Sequence, residues 1–290
     1  MIIKPINTPL QIKQVAQVEA ETWGLNPSDT VSDHVLTAIA YDGGVLLGAY
    51  DRDQLIGFTL GWLGTTSQED GIIAADYLKL VSHMTGVLDG YRDQRIGYNL
   101  KLAQREWALA RGLDLVTWTY DPLESRNAYL NIHLLGCTSQ TYYRDYYGEM
   151  SDQMNEGIAS DRLRVDWWIN SDRVRRCLSP SPDQKIQAGS IELYFQGGFQ
   201  LLNPTKLESG CHLPGDQTIS PSKTRLLVEI PADIQAIRQK DREMGVAWRR
   251  HTREIFELVF SAGYRVVDFI YIRGETPQSY YLLRNDADED

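Results

Sequence analysis

Between Asp89 and Tyr98 the chain reads DGYRDQRIGY, and these residue types suit one kind of chemistry, the holding of an anion. Arg92 and Arg95 bring positive charge, and Gly97 follows closely. An apolar run (Leu78, Leu80, Val81, Met84, Val87, Leu88) leads to the Asp89-Gly90 turn signal. A helical pattern follows, with Leu100, Ala103, Trp107 and Ala110 spaced by three and four. A helix beginning near Gly97 aims its unpaired N–H groups and the positive end of its dipole into the loop, where a phosphate would sit. Gly97 lets the backbone come close to such a group, having no side chain in the way. The same residues also fit an ordinary tight turn with two solvated arginines, so the loop by itself leaves both readings open.

The elements that must hold this loop follow from patterning. Gly112 stops the helix, and Leu113–Trp118 reads as a second strand, giving a βαβ unit whose strands are parallel. Upstream, Ile2 and Ile3 open a short strand that breaks at Pro5. Leu10 to Trp23 is a helix capped near Thr8, and a second helix runs from about Ser32 to Ala40. Residues 43–50 and 55–62 form a hairpin through Asp51-Arg52-Asp53-Gln54. Downstream come a helix near 127–135 and a strand at Leu163–Trp168.

Arg92-x-x-Arg95-x-Gly97 resembles the acyl-CoA loop of the GNAT N-acyltransferase superfamily, which is usually Gln/Arg-x-x-Gly-x-Gly/Ala; Arg95 stands here where glycine is usual. Asn127 to Gly136 (NAYLNIHLLG) resembles the family's helix beside the pantetheine arm, although Ile132 holds the place of its frequent tyrosine. The resemblance covers roughly residues 1–170. It implies that Arg92, Asp93, Gln94, Arg95, Ile96, Gly97 and Tyr98 bind the pyrophosphate of acetyl-CoA or another acyl-CoA. It implies further that a backbone N–H within Gly86-Val87-Leu88 meets the acyl carbonyl at a strand bulge, and that Asn127 lies on the cofactor arm. His83, on the strand before the loop, is the candidate base, since an imidazole suits amine deprotonation near neutrality; a histidine bonded to a strand neighbour is the alternative. Tyr147 and Tyr146, from the cluster Tyr142–Gly148, are candidate acids, and a packed aromatic strand is their alternative. Asp121 or Glu124 would hold a cationic substrate, or simply make a turn with Ser125 capping the next helix.

Composition narrows the partners. Of 290 residues, 42% are hydrophobic and 23% charged, with a net charge of −10, which disfavours a nucleic-acid surface. No apolar run approaches the ~20 residues that cross a bilayer, and the first residues do not read as a secretory signal. Cys137, Cys177 and Cys211 lack metal-ligand spacing, so we expect no metal, reduced thiols and a cytoplasmic protein.

The polar stretch 173–188, with Ser179-Pro180-Ser181-Pro182, reads as a linker between an acyl-CoA-binding domain at 1–172 and a C-terminal α/β domain at 189–290. In the latter, a strand at Thr224–Pro231, a helix from Asp233 to Ala262, Gly263 and a strand at Tyr264–Tyr271 repeat the order of the first βαβ unit. Pro231 cannot donate an amide, so this unit lacks the phosphate loop. It is either a degenerate GNAT half or an unrelated α+β extension, and it either walls the acceptor side or mediates pairing into a homodimer. The expected fold is thus mixed α/β: a GNAT-like central mixed sheet flanked by helices, plus a smaller C-terminal βαβ-like unit. The expected activity is acyl transfer to a small-molecule or peptide amine by direct attack on the thioester. A non-catalytic acyl-CoA-binding or regulatory protein is the alternative.

Overall fold

The computed structural model describes residues 1–66, 77–148, 158–179, 191–208, 211–215 and 220–285. Backbone packing divides them into two units. The first holds Met1–Trp118 and Trp168–Asn170; the second holds the other described residues from Thr119 onward.

The first unit begins with β1 (Ile2–Pro5), which pairs antiparallel with β2 (Val45–Asp51). Between them α1 (Pro9–Trp23) starts at Thr8, whose hydroxyl accepts the Gln11 amide while the Gln11 side chain returns to the Thr8 backbone. This capping box satisfies amides that the helix leaves open. Helix α2 (Asp33–Tyr41) is capped in turn by Ser32. β2, β3 (Gln54–Thr65) and β4 (Leu78–Val87) form an antiparallel meander, and β5 (Leu115–Tyr120) lies parallel to β4. Ile12, Val15 and Val18 of α1 and Leu36 of α2 bury against Leu46, Tyr50, Phe58 and Leu60, with Met84 and Leu88 packed alongside. Each full burial of such a side chain contributes roughly 1.5–3 kcal/mol. The opposite face carries α3 (Ile96–Leu109). Its buried stripe is Ile96, Leu100, Lys101, Gln104 and Ala108, rotated from the Leu100–Ala103–Trp107–Ala110 face expected from apolar spacing. Two polar residues face inward instead: Lys101 bonds to Ser82 on the sheet, while the Gln104 side chain is buried with no hydrogen-bond partner among the described residues.

In the second unit, α4 (Ser125–Ala128) runs into a π-helical turn at Tyr129–Leu134, in place of a plain helix. β6 (Thr138–Tyr143) pairs antiparallel with β7 (Arg162–Trp168). Asp172–Leu178, most of it expected within the linker, is helix α5, capped by Ser171; residues 180–188 of that stretch lie outside the described residues. Then follow α6 (Glu192–Gln196), β8 (Gln200–Leu201), a β9–β10 hairpin (Lys206–Glu208, Cys211–Leu213), β11 (Arg225–Ile230), α7 (Ile234–Lys240), α8 (Arg242–Ser261), β12 (Tyr264–Ile272) and β13 (Gln278–Asn285). The single helix expected at 233–262 is therefore two, broken at Asp241, whose side chain caps α8.

Strand–helix–glycine–strand does recur, yet β11 and β12 are not neighbours. β13 lies between them, antiparallel to both. That corrects the expected match of β11 to β4. The connection order β11–α7/α8–β12–β13 is that of β5–α4–β6–β7, and β8 lies parallel beside β11 as β4 does beside β5. The place of α3, between β8 and β11, is taken by the β9–β10 hairpin. Among the described residues no helix stands there to offer a phosphate its N-terminus. Where β8 leaves β11, the Asn203 side-chain amide donates to the Glu229 carbonyl and accepts from its N–H, both at 2.8 Å, so this fork is closed by a side chain.

Candidate active site

β4 and β5 pair only at Leu80↔Val116 and Val81↔Thr117. Beyond this point β4 stays on β3 alone. The β3–β4 register jumps from Gly61↔Ser82 to Leu60↔Met84, so His83 is an extra residue in a bulge, three residues before the Gly86-Val87-Leu88 stretch where one was expected. The Leu88 amide donates to Ile56 O at 3.0 Å. In an antiparallel ladder successive N–H groups alternate sides, so the amides of Leu88 and Gly86 face β3 and that of Val87 faces the side β5 has left. Of the three residues expected to offer a carbonyl donor, Val87 has the geometry.

Below the fork, Lys101 Nζ of α3 donates to Ser82 Oγ at 2.7 Å and lies 3.7 Å from the Trp118 ring centroid. Sequence reading missed this trio; the only signal for it was a lysine one turn after Gly97 in an otherwise apolar stripe.

The loop keeps its path without the usual glycine. Arg95 is the residue before α3 and sits at φ 59°, ψ 19°, the left-handed region that favours glycine. Asp93 is left-handed too, at φ 66°. The first intrahelical bond is Asn99 N to Arg95 O at 3.0 Å, so the amides of Ile96, Gly97 and Tyr98 point into the loop with no helical partner. Among the described residues a Cβ on Gly97 would meet no atom within 4 Å beyond its own helix turn, and its φ is not left-handed. Nothing in the fold itself asks for glycine there. Arg92 is paired with Asp89 at 2.6 Å on the open surface, which offsets part of its charge. For the Arg95 guanidinium no partner is found among the described residues.

His83 is exposed, with its ring 4.8 Å from that of Trp62 and tilted by 43°. Loss of water around the imidazole lowers its pKa from the ordinary 6.5, which leaves it neutral near pH 7. Among the described residues no hydrogen bond to its ring is found.

The remaining candidates stand in the second unit. Asn127 is exposed on α4. Tyr146 and Tyr147 are about half exposed, and Tyr147 Oη lies 3.3 Å from Thr119 Oγ1. Their turn is tied down through the Ser160 carbonyl and hydroxyl, which accept the Tyr146 and Tyr147 amides. Ile132 is fully buried, so a packed side chain fills the place of the family's tyrosine.

Asp121 and Glu124 are not open to a cationic substrate. Asp121 is buried against Arg249 and Arg238, and its Oδ1 accepts the Leu123 amide. Burial opposes its charge, but Arg249 and Arg238 outweigh that and hold the carboxyl well below the usual range. Glu124 accepts from Gln235, and burial raises its pKa. Ser125, expected as a cap, bonds to Ser279 Oγ at 2.7 Å instead. These polar groups face in because β13, α7 and α8 cover them, which no local pattern around residue 121 announces.

No family model and no curated protein matches the chain. Among solved structures it is similar to Arabidopsis thaliana NAA60 in complex with acetyl-CoA (16% identity, TM-score 0.49), over 59% of this chain and 99% of that one. It is similar also to the ribosomal-protein-S18-alanine N-acetyltransferase from Escherichia coli (13%, TM-score 0.44; 59% and 94%). An aminoglycoside 6'-acetyltransferase type Ii gives 18% and 0.45, over 59% and 99%.

Proposed function

We propose that this chain is an acyl-CoA-dependent N-acyltransferase, with acetyl-CoA as the acyl donor and a small-molecule or peptide amine as acceptor. The observation that carries the reading is the start of α3: three inward amides, a left-handed arginine before them, and a glycine for which the fold itself has no use. In this reading Arg92, Arg95 and the amides of Ile96, Gly97 and Tyr98 hold the pyrophosphate, with Asp93 and Gln94 shaping the loop. The open fork beside Gly86, Val87 and Leu88 receives the thioester, whose oxygen meets the Val87 N–H.

The acceptor must attack as a free amine. His83, neutral at working pH, takes its proton as the C–N bond forms and negative charge grows on the carbonyl oxygen. The C–S bond then breaks, and the thiolate leaves with a proton. Tyr147 or Tyr146 is the proposed donor, and Asn127 the proposed contact of the pantetheine arm. The C-terminal segment is read as a GNAT-derived half without a cofactor loop, and the protein as cytoplasmic.

One observation favours a second reading, a binding or regulatory protein: Ile132 is buried where the family's tyrosine is frequent. Calorimetric titration of acetyl-CoA, with thiol release measured over a broad amine panel, separates the two. Binding together with amine-dependent coenzyme A release, lost in His83→Ala, supports the enzyme. Binding without release from any amine supports the second reading, and no binding overturns both.

A further inference from the structure

The face of β3 that packs on α1 and α2 carries Phe58 and Leu60, both buried, and Trp62 is the next residue on it. Trp62 is 36% exposed and is not among the side chains packed on the core that Phe58 and Leu60 join. Its cross-strand partner is Val81, and its ring reaches the imidazole that the bulge at His83 has freed from the ladder.

A bulged residue has no opposite neighbour to hold its side chain. Among the described residues the indole is the one ring in contact with the imidazole, and no hydrogen bond is found to either ring nitrogen. We infer that Trp62 is a positioning residue for His83: the indole fixes the plane of the imidazole and keeps water from one of its faces. The inference rests on the proposed role of His83 as base, and it assigns the acceptor side of the reaction to the Trp62 face of the sheet.

The charged groups on neighbouring elements do not do this work. β3 and β5 carry none. Lys101 of α3 is tied to Ser82, Glu19 of α1 accepts the Val31 amide, and Lys79 lies on β4 itself. Among the described residues the cause that lowers the basicity of His83 is dehydration. In the inferred arrangement the indole at 4.8 Å contributes to that dehydration.

The test is an NMR titration of the histidine C2–H signals in the full chain, which has five histidines, with His83 assigned through His83→Gln. In wild type and Trp62→Phe, His83 is expected to titrate below ~6.5. In Trp62→Leu, which keeps apolar bulk but loses the ring, it should rise by about half a pH unit. The acid limb of kcat/KM, measured with the best amine of the panel, should rise with it, while acetyl-CoA affinity stays unchanged. Titration of His83 at the wild-type value in folded Trp62→Leu overturns the inference. So does a titration that moves while the acid limb stays. Failure of the acyltransferase reading is seen separately, as wild type that does not bind acetyl-CoA.

Discussion

Arg95→Gly separates two roles that one residue combines. At φ 59° and ψ 19° the arginine is left-handed, which costs a residue with a Cβ roughly 1–2 kcal/mol. Glycine removes that strain but loses roughly 0.5–1 kcal/mol to its freer unfolded chain. The net expectation is a protein more stable by about 0.5–1 kcal/mol in urea denaturation. Arg95→Ala keeps the strain and should leave stability nearly unchanged. Both substitutions remove the guanidinium, so each should weaken coenzyme A binding by about 1.5–3 kcal/mol, roughly ten- to a hundredfold, in calorimetric titration. The pattern to look for is two equal losses of affinity beside two different stabilities. If the glycine variant is less stable than the alanine variant, the left-handed assignment is wrong. If both bind as tightly as wild type, Arg95 does not meet a phosphate.

Gly97→Ala tests whether that glycine serves a ligand. Its Cβ would touch no protein atom and alanine favours the helix by up to ~1 kcal/mol, so the melting temperature should hold or rise while coenzyme A affinity falls about tenfold or more. Equal affinity would leave the glycine unexplained. Asp121→Ala leaves Arg249 and Arg238 buried without their carboxylate and should cost ~3–5 kcal/mol in equilibrium unfolding; a loss below about 1 kcal/mol would contradict the buried ion cluster. Glu229 is buried, and burial pushes its pKa up to about 7 from 4.5. The folded state therefore holds its proton more tightly, and stability falls as pH rises from about 4.5 through 7. Glu229→Gln should be more stable than wild type by up to about 3 kcal/mol at pH 8 and nearly equal to it at pH 4. A difference independent of pH would refute that account.

Much of the first unit is written locally. The Thr8 cap, the hairpin turn, the glycine stops and the arginine–glycine loop are short-range signals, each acting within a few residues of where it stands. They suffice to place a strand, an anion loop and a helix in order, and so to point at Arg92, Arg95 and Gly97. Register is also specified by packing, since a slip of one residue would turn Phe58 and Leu60 from the α1/α2 core onto the α3 face.

Tertiary structure decided the rest. The βα spacing of residues 224–271 resembles that of 78–118, but only strand pairing shows β13 inserted between β11 and β12, which leaves the β9–β10 hairpin, among the described residues, in the place of α3. Asp121 looks like a turn residue in an open loop; Arg238 and Arg249, more than a hundred residues away, make it a buried ion. Lys101 and Gln104 break the apolar stripe of α3, so periodicity pointed to the wrong face. The bulge that frees His83, and the indole it meets, depend on pairing across strands, to which a local pattern is blind. Sequence fixes what each short segment prefers; which distant segments meet is settled by how the sheets pair and bury their faces.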